Sequence, residues 1–489
     1  MEQKTPVTRR KFIKTASRNT AGLVTGLSLW GASQSWAGAN DRVRVGIVGI
    51  RGHGFNSHIK KYPQLKNVEV AALCDVDANL FDERVNYLTT NGYPKPKTYQ
   101  DIRKLLDRKD IDAISVATPN HWHALAGIWA AQAGKHAHLE KPFSHSIFEG
   151  RKLIEAAQTY GAIIHHGTES RSSDSCRAAI RLLREGVIGE VYMAKGLCYK
   201  WRNSIGEYPD GPMQEGQVFK FTPEGDAKPP FTEAYLKKVD YDLWQGPAPL
   251  RPFNPNRFHY NWHWNFDYGN GDIGNQGIHE MDIARWGLGV EMPTKVMSLG
   301  GHFMFNDAQT TPNTQIAVFE FPAETRGGDK KKILQFEVRH WITNNEGDLA
   351  SSFLNDQATG YMTSDANVIG NLFYGSEGYM VIHSGWFKTF LGKKREPGPS
   401  AQATNHADLD HYQRFIDAIR ANDPSLLVDR GSVQDGHYSC TLMHLANMSA
   451  QLGRSLDWDP QAERVIDDDE ANRLLKRNYR EPFVIPEKV

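Results

Sequence analysis

The stretch VRVGIVGIRGHG, residues 43–54, joins an apolar run rich in β-branched residues to a glycine-rich turn. A strand covered on both faces reads as such a continuous apolar run. The turn Gly49-Ile50-Arg51-Gly52-His53-Gly54 then opens a helix. A strand, a glycine turn and a helix N-terminus in succession aim backbone N–H groups at an anion, the geometry that holds a dinucleotide pyrophosphate. In the G-x-G-x-x-G spacing Gly49 and Gly54 fill the first and third places, and Arg51 stands at the second. A glycine at that second place normally lets the backbone approach the pyrophosphate. Here either Gly52 takes over the approach or Arg51 itself lies beside the phosphates.

Four more apolar runs follow: VEVAALCDV (68–76), IDAISVATP (111–119), KHAHLEKP (135–142) and GAIIHHG (161–167), with helical periods between them. Alternating strands and helices imply a parallel sheet with helices on both faces, so residues 41–167 are expected to form a doubly wound α/β domain. After it the pattern changes. A helix over 174–184 and a strand, GEVYMAKGLCYKW, precede residues 203–260, which are rich in Pro, Gly and aromatics and read as a long surface insertion shaping a site. An amphipathic helix, GNQGIHEMDIARW (274–286), comes next. It puts Asn275, His279 and Asp282 on one polar stripe beside the apolar Ile278, Met281, Ala284 and Leu288. TKVMSLGGHFM, TQIAVFEF, KILQFEVRHW and GYMVIHS follow without helices between them, which implies a largely antiparallel sheet. Residues 168–460 are expected to form this α+β domain, and 461–489 a tail packed on its own chain or on a neighbour.

The 489 residues include 57 Lys+Arg and 57 Asp+Glu, a net charge near zero. That balance gives no electrostatic case for nucleic acid or an anionic membrane. Residues 1–39 stand apart: Thr8-Arg9-Arg10-Lys11-Phe12-Ile13-Lys14 is a twin-arginine motif, and Ala37-Gly38-Ala39 offers a cleavage site. The expectation is a cleaved signal peptide and a periplasmic mature protein with no membrane span. That export route carries folded proteins, so a non-covalent cofactor can travel inside. Cys74, Cys176, Cys198 and Cys440 lack paired spacing and read as buried or free thiols.

Asp75 ends the second strand, 26 residues after Gly49. A carboxylate there accepts from ribose hydroxyls and repels a 2′-phosphate, so NAD is expected over NADP, with Arg51 the one nearby feature favouring NADP. The histidine pairs at 121/123, 136/138, 165/166 and 259/263 match no zinc spacing, and no catalytic metal is expected.

With Thr118-Pro119-Asn120-x-x-His123, Glu140-Lys141-Pro142 and G-x-H-x-x-D-x-A-R-W at 277–286 in order, the chain resembles the Gfo/Idh/MocA family of glucose–fructose oxidoreductases and inositol dehydrogenases, over about residues 41–460. The resemblance implies an N-terminal Rossmann domain, a C-terminal domain whose open sheet supports homo-oligomers, and a tightly held nicotinamide cofactor acting on sugars or cyclitols. It implies that Thr118, Pro119, Asn120 and His123 line the cofactor together with Gly49, Arg51, Gly52, Gly54 and Asp75. Glu140 and Lys141 would sit beside the nicotinamide, Lys141 would hydrogen-bond the reacting hydroxyl, and His279 would be the acid/base. Relatives usually carry Asp four residues before that histidine; here Asn275 stands there. An amide cannot titrate, but it can fix the His279 tautomer or bind a substrate hydroxyl. Asp282 could orient His279 or pair with Arg285, and Asp272 is a weaker relay candidate. Tyr260, Trp262, His263, Trp264 and Tyr268 read equally as a sugar-stacking wall or as packing.

Oxidising a secondary carbinol requires removal of its O–H proton as the C–H hydride leaves, a task for a neutral imidazole beside an ammonium. The leading expectation is therefore an exported NAD(H)-dependent oxidoreductase of a sugar, glycoside or cyclitol hydroxyl. The alternative is a glycosidase using transient oxidation with no net redox change; family members of that kind tend to carry a different helix pattern.

Overall fold

The computed structural model describes residues 42–217, 231–323, 331–341 and 367–489. The twin-arginine motif and the cleavage site lie outside them. Among the described residues no helix is long and apolar enough to cross a membrane.

Strands β1 (Val43–Val48), β2 (Val68–Cys74), β3 (Lys97–Tyr99), β4 (Ala113–Val116), β5 (His136–Glu140) and β6 (Ile164–Gly167) form one sheet in the order β3-β2-β1-β4-β5-β6. Every pairing is parallel. Val45 and Ile47 enter one apolar cluster and Val48 another, so β1 is buried on both faces, as its unbroken apolar run requires. The edge strand β3 is the element the pattern does not show. Lys-Thr-Tyr is too short and too exposed to carry a period.

The second sheet adds β7 (Val191–Tyr199), β8 (Lys295–Gly301), β9 (Thr314–Pro322), β10 (Lys331–Arg339), β11 (Val368–Gly375), β12 (Gly378–His383), β13 (Trp386–Leu391), β14 (Glu396–Gln402), β15 (Leu456–Asp459) and β16 (Arg464–Val465). Their order is β14-β13-β12-β11-β7-β10-β9-β8-β15-β16. Among the described residues only β7 and β10 run parallel, so the sheet is largely antiparallel, as expected. β14 contains two prolines and sits at the edge, where their missing N–H groups break no ladder.

The helix Gly277–Leu288 packs against β7, β11 and the helix Val433–Leu452 and is buried on every side, not on one stripe alone. The described residues of 203–260 are more than a surface loop. Trp244 and Phe258, with Phe231 and Tyr268, build an apolar core of their own. The tail folds back on its own chain: Phe483 meets Trp122 edge to face at 5.5 Å.

Candidate functional site

The strand order reverses between β1 and β4, and a ligand crevice opens outside the carboxyl ends of the strands at such a switch point. A cleft of about 600 Å³ lies there. Its wall takes Gly49, Arg51 and Gly52 from the turn after β1, Asp75 from the end of β2, Thr118, Pro119, Asn120 and His123 from beyond β4, and Glu140 and Lys141 from the end of β5. Gly54 lies behind the wall.

The glycines meet the demands of a pyrophosphate cradle. Gly49 has φ +82°, and a Cβ there would stand 2.6 Å from the Ala117 carbonyl. A Cβ on Gly54 would stand 1.8 Å from the Gly49 oxygen, so this glycine permits the close strand-to-helix turn. Gly52, at φ +27°, has nothing within 4 Å of where its Cβ would be. Gly52 therefore offers the open backbone that Arg51 cannot. The buried Thr118 Oγ1 has no hydrogen-bond partner among the described residues, and Thr118 lines the cleft, a place for a polar ligand.

Asp75 holds this loop as well as facing the cleft. Its Oδ2 accepts from Ile50 N at 2.8 Å and its Oδ1 from Asp77 N at 3.0 Å. Two of a carboxylate's roughly four lone-pair positions remain for ribose hydroxyls. Burial raises the Asp75 carboxyl to about 6 despite those two bonds. His123 is a brace: its ring nitrogens lie 2.7 Å from the carbonyls of Pro142 and Thr118. Glu140 receives His53 Nε2 and His58 Nε2 on Oε1, each at 3.0 Å. Burial opposes its charge, but His53 and the hydrogen bonds from its histidine neighbours hold the carboxyl well below the usual range.

At the other end of the cleft the predicted 274–286 helix is broken. Asp272–Asn275 forms one short turn and Gly277–Leu288 the helix proper, with Gln276 between them. In an unbroken helix His279 N–H would donate to the Asn275 carbonyl; it donates to Gln276 O instead, at 3.1 Å. The released Asn275 carbonyl accepts from Lys141 Nζ at 2.6 Å, which fixes the ammonium at the cleft mouth. Asn275 thus acts on Lys141 through its backbone. Its amide Nδ2 donates to Asp272 Oδ1 at 3.0 Å.

The carboxylates expected to serve His279 are engaged elsewhere. Asp272 is gripped by Arg202 through two bonds of 3.1 Å and by His340 at 2.9 Å. Asp282 takes Arg171 Nε at 2.6 Å and Nη2 at 2.8 Å, while Arg285 stands 3.9 Å off. The carboxylate near His279 is Glu169, with Oε1 3.8 Å from His279 Nε2 and its side chain one third exposed. His279 is 7% exposed, and its Nδ1 has no partner among the described residues. Burial pushes the imidazole below its ordinary 6.5, and Glu169 works in the opposite direction. His279 is therefore neutral near pH 7, with an unpaired nitrogen and a nearby anion to receive its charge.

Glu169, Arg202 and His340 carry no sequence motif. Glu169 alone had a signal: it lies two residues beyond β6, at the carboxyl edge of the parallel sheet where ligands bind. Of the aromatic group, Tyr260, Trp262 and His263 line the cleft, with the Trp262 and His263 rings stacked at 3.5 Å. Trp264 and Tyr268 are core.

Comparison with known proteins agrees with this architecture. The family model described as "Oxidoreductase family, NAD-binding Rossmann fold" matches residues 43–168, and "Oxidoreductase family, C-terminal alpha/beta domain" matches 213–302 and 398–485. A glycosyl hydrolase family 109 protein of Shewanella pealeana is 33% identical over 202 residues, 37% of this chain and 44% of the relative. The chain thus spans less than half the length of the curated relatives it matches. An aldose-aldose oxidoreductase from Caulobacter crescentus, solved with glycerol, superimposes with a TM-score of 0.59 at 17% identity, over 85% of this chain and 99% of that one. A levoglucosan dehydrogenase solved with NADH and levoglucosan gives 0.57 at 16% identity, over 85% and 99%. At these identities the solved structures show the shared fold.

Proposed function

The chain belongs to the Gfo/Idh/MocA oxidoreductase family and carries its NAD-binding Rossmann domain, and we propose that it oxidises or reduces a secondary hydroxyl or keto group of a sugar, glycoside or cyclitol. One observation carries the proposal: Lys141, on the cleft wall, is pinned to the Asn275 carbonyl, and the buried His279, set back from that wall, is near enough for the Lys141 charge to act on it. Gly49 and Gly52 would hold the pyrophosphate on the turn that Gly54 permits, Asp75 the ribose, and Thr118, Asn120 and Glu140 the remainder of NAD(H). When bound, NAD(H) supplies the hydride acceptor or donor. Lys141 Nζ donates to the reacting oxygen and stabilises its developing negative charge. His279 takes the hydroxyl proton on an imidazole nitrogen, and Glu169 stabilises the imidazolium and leads the proton toward solvent. Trp262 and His263 offer a ring face to the sugar.

The relatives named glycosyl hydrolase family 109 favour a second reading, in which oxidation is transient and a glycosidic group leaves before the redox state is restored. The same Lys141 and His279 would serve. Anaerobic incubation of purified protein with a glycoside panel, following bound-nicotinamide absorbance and products, separates the two. A keto-sugar supports net oxidation; a released aglycone with free sugar supports the second reading. Protein without bound nucleotide or NAD affinity refutes both.

Two further parts of the proposal concern assembly and location. Met297, Leu299, Ile316 and Ile333 share one face of the open sheet by register and are all exposed, which supports a homo-oligomer. Export to the periplasm rests on the Arg9-Arg10 motif. Replacing both arginines with Lys should retain the protein in the cytoplasm on fractionation, and unchanged export would refute it.

A further inference from the structure

Five histidines and Glu140 meet behind the cofactor cleft. Part of the group is satisfied by hydrogen bonds alone. His165 Nε2 donates to Arg430 O at 2.8 Å, so its Nδ1 carries a lone pair. His138 Nδ1, 3.0 Å away, must donate to it. His411 donates from Nε2 to His166 O and accepts at Nδ1 from Ser172, each at 2.9 Å. The contact with His165 leaves His138 Nε2 as the second nitrogen of the ring. That atom is buried, has no hydrogen-bond partner among the described residues, and lies 3.7 Å from Glu140 Oε1.

The same Glu140 oxygen receives His53 Nε2 and His58 Nε2 at 3.0 Å each. Three imidazole nitrogens thus converge on one carboxylate oxygen. A single cation would serve them all. Donor atoms around a tetrahedral zinc ion with bonds of about 2.0–2.1 Å stand roughly 3.3 Å apart. The contacts to Glu140 Oε1 bracket that spacing, and the His53, His58 and Glu140 donor atoms lie within 4.8 Å of one another. The outer nitrogens of both histidines are already held as metal-ligating histidines require: His58 Nδ1 by Ser115 Oγ at 2.9 Å and His53 Nδ1 by Ser57 Oγ at 3.4 Å. The His53 side chain is half exposed and faces the cleft, which provides an entry path and an open coordination position.

We propose that His53 Nε2, His58 Nε2 and Glu140 Oε1 form a site for a divalent transition-metal ion of the zinc class, with His138 Nε2 as an additional nitrogen behind it. Imidazole and carboxylate donors suit Zn²⁺, Co²⁺, Ni²⁺ and Cu²⁺ over Ca²⁺ or Mg²⁺. Sequence spacing does not show the site, because its ligands come from the turn after β1, the helix that follows it and the end of β5. On binding, the proton of a neutral imidazole moves from Nε2 to Nδ1, where the serine oxygen accepts its hydrogen bond.

The test uses the full chain, dialysed free of metal and titrated with Zn²⁺ against a chromophoric chelator, and with Co²⁺ by visible absorption. One ion per chain is expected. His53→Ala, at a half-exposed position that does not threaten folding, and His58→Ala should each weaken binding by more than about 100-fold; Ser115→Ala, outside the ligand shell, should weaken it by about 10- to 100-fold. Wild-type protein that takes up no stoichiometric ion, or a His53→Ala protein that binds as tightly as wild type, overturns the site. The readout is bound ion rather than turnover, so the result stands apart from the reaction assigned above.

Discussion

Replacing Glu169 with Gln removes one negative charge 3.8 Å from His279 Nε2 and keeps the side-chain shape. Two unit charges at that separation attract by about 1 kcal/mol in water and by about 4 kcal/mol at an effective dielectric near 20. Glu169 is one third exposed, so solvent screens the pair and the lower end applies, ~1–2 kcal/mol. That is roughly one pKa unit. The sign follows from the site. Glu169 raises the His279 value against the larger, lowering effect of burial, so its loss lowers that value further. Oxidation requires neutral His279, and activity is lost as pH falls through its pKa. The acid limb of kcat/KM should therefore move about one unit toward lower pH in Glu169→Gln. Turnover above the limb should fall as well, because the base is weaker. The assay is a pH–rate profile of glycoside oxidation, with bound NAD quantified at each pH. An acid limb that stays in place, with nucleotide retained, would refute the pairing of Glu169 with His279.

Other outcomes are expected. Lys141→Ala should retain bound NAD and lose on the order of 10²–10³ in kcat, as removal of one oxyanion donor does; loss of nucleotide instead of turnover would move Lys141 out of the catalytic role. Gly49→Ala should destabilise the fold by about 2–4 kcal/mol in urea titration, since its Cβ meets the Ala117 backbone at 2.6 Å with φ at +82°; Gly52→Ala, with open space around it, should cost about 1 kcal/mol. Arg171→Met should cost about 3–5 kcal/mol by stranding buried Asp282. Arg171 and other partners hold Asp282 at about 2, below its ordinary 3.8, so its contribution is present above that ordinary value and lost as pH falls through 2. Equal stability of Arg171→Met and wild type at pH 7 would contradict this.

The parallel domain was legible because each buried strand must be apolar throughout and each crossover must be helical. That constraint wrote VRVGIVG, VEVAALCDV and IDAISVATP plainly into the chain. The glycine turn was equally legible, because steric limits at Gly49 and Gly54 are set by backbone a few residues away or in the next strand. Strands β3 and β14 were not, because short or edge strands need no continuous apolar face.

Local sequence determined the cradle, the parallel sheet and the presence of Lys141 and His279 as candidates. Tertiary structure alone decided what each does with its neighbours. The break at Gln276 turns the Asn275 carbonyl toward Lys141, a contact between residues 134 positions apart. Asp272 and Asp282, which sit on or beside the same stripe as His279, are drawn to Arg202 and Arg171. Glu169 reaches His279 from another element. Spacing along a helix places side chains on a common face, but the charge nearest a buried group is chosen by the packing of distant strands, and a periodic pattern contains no record of that choice.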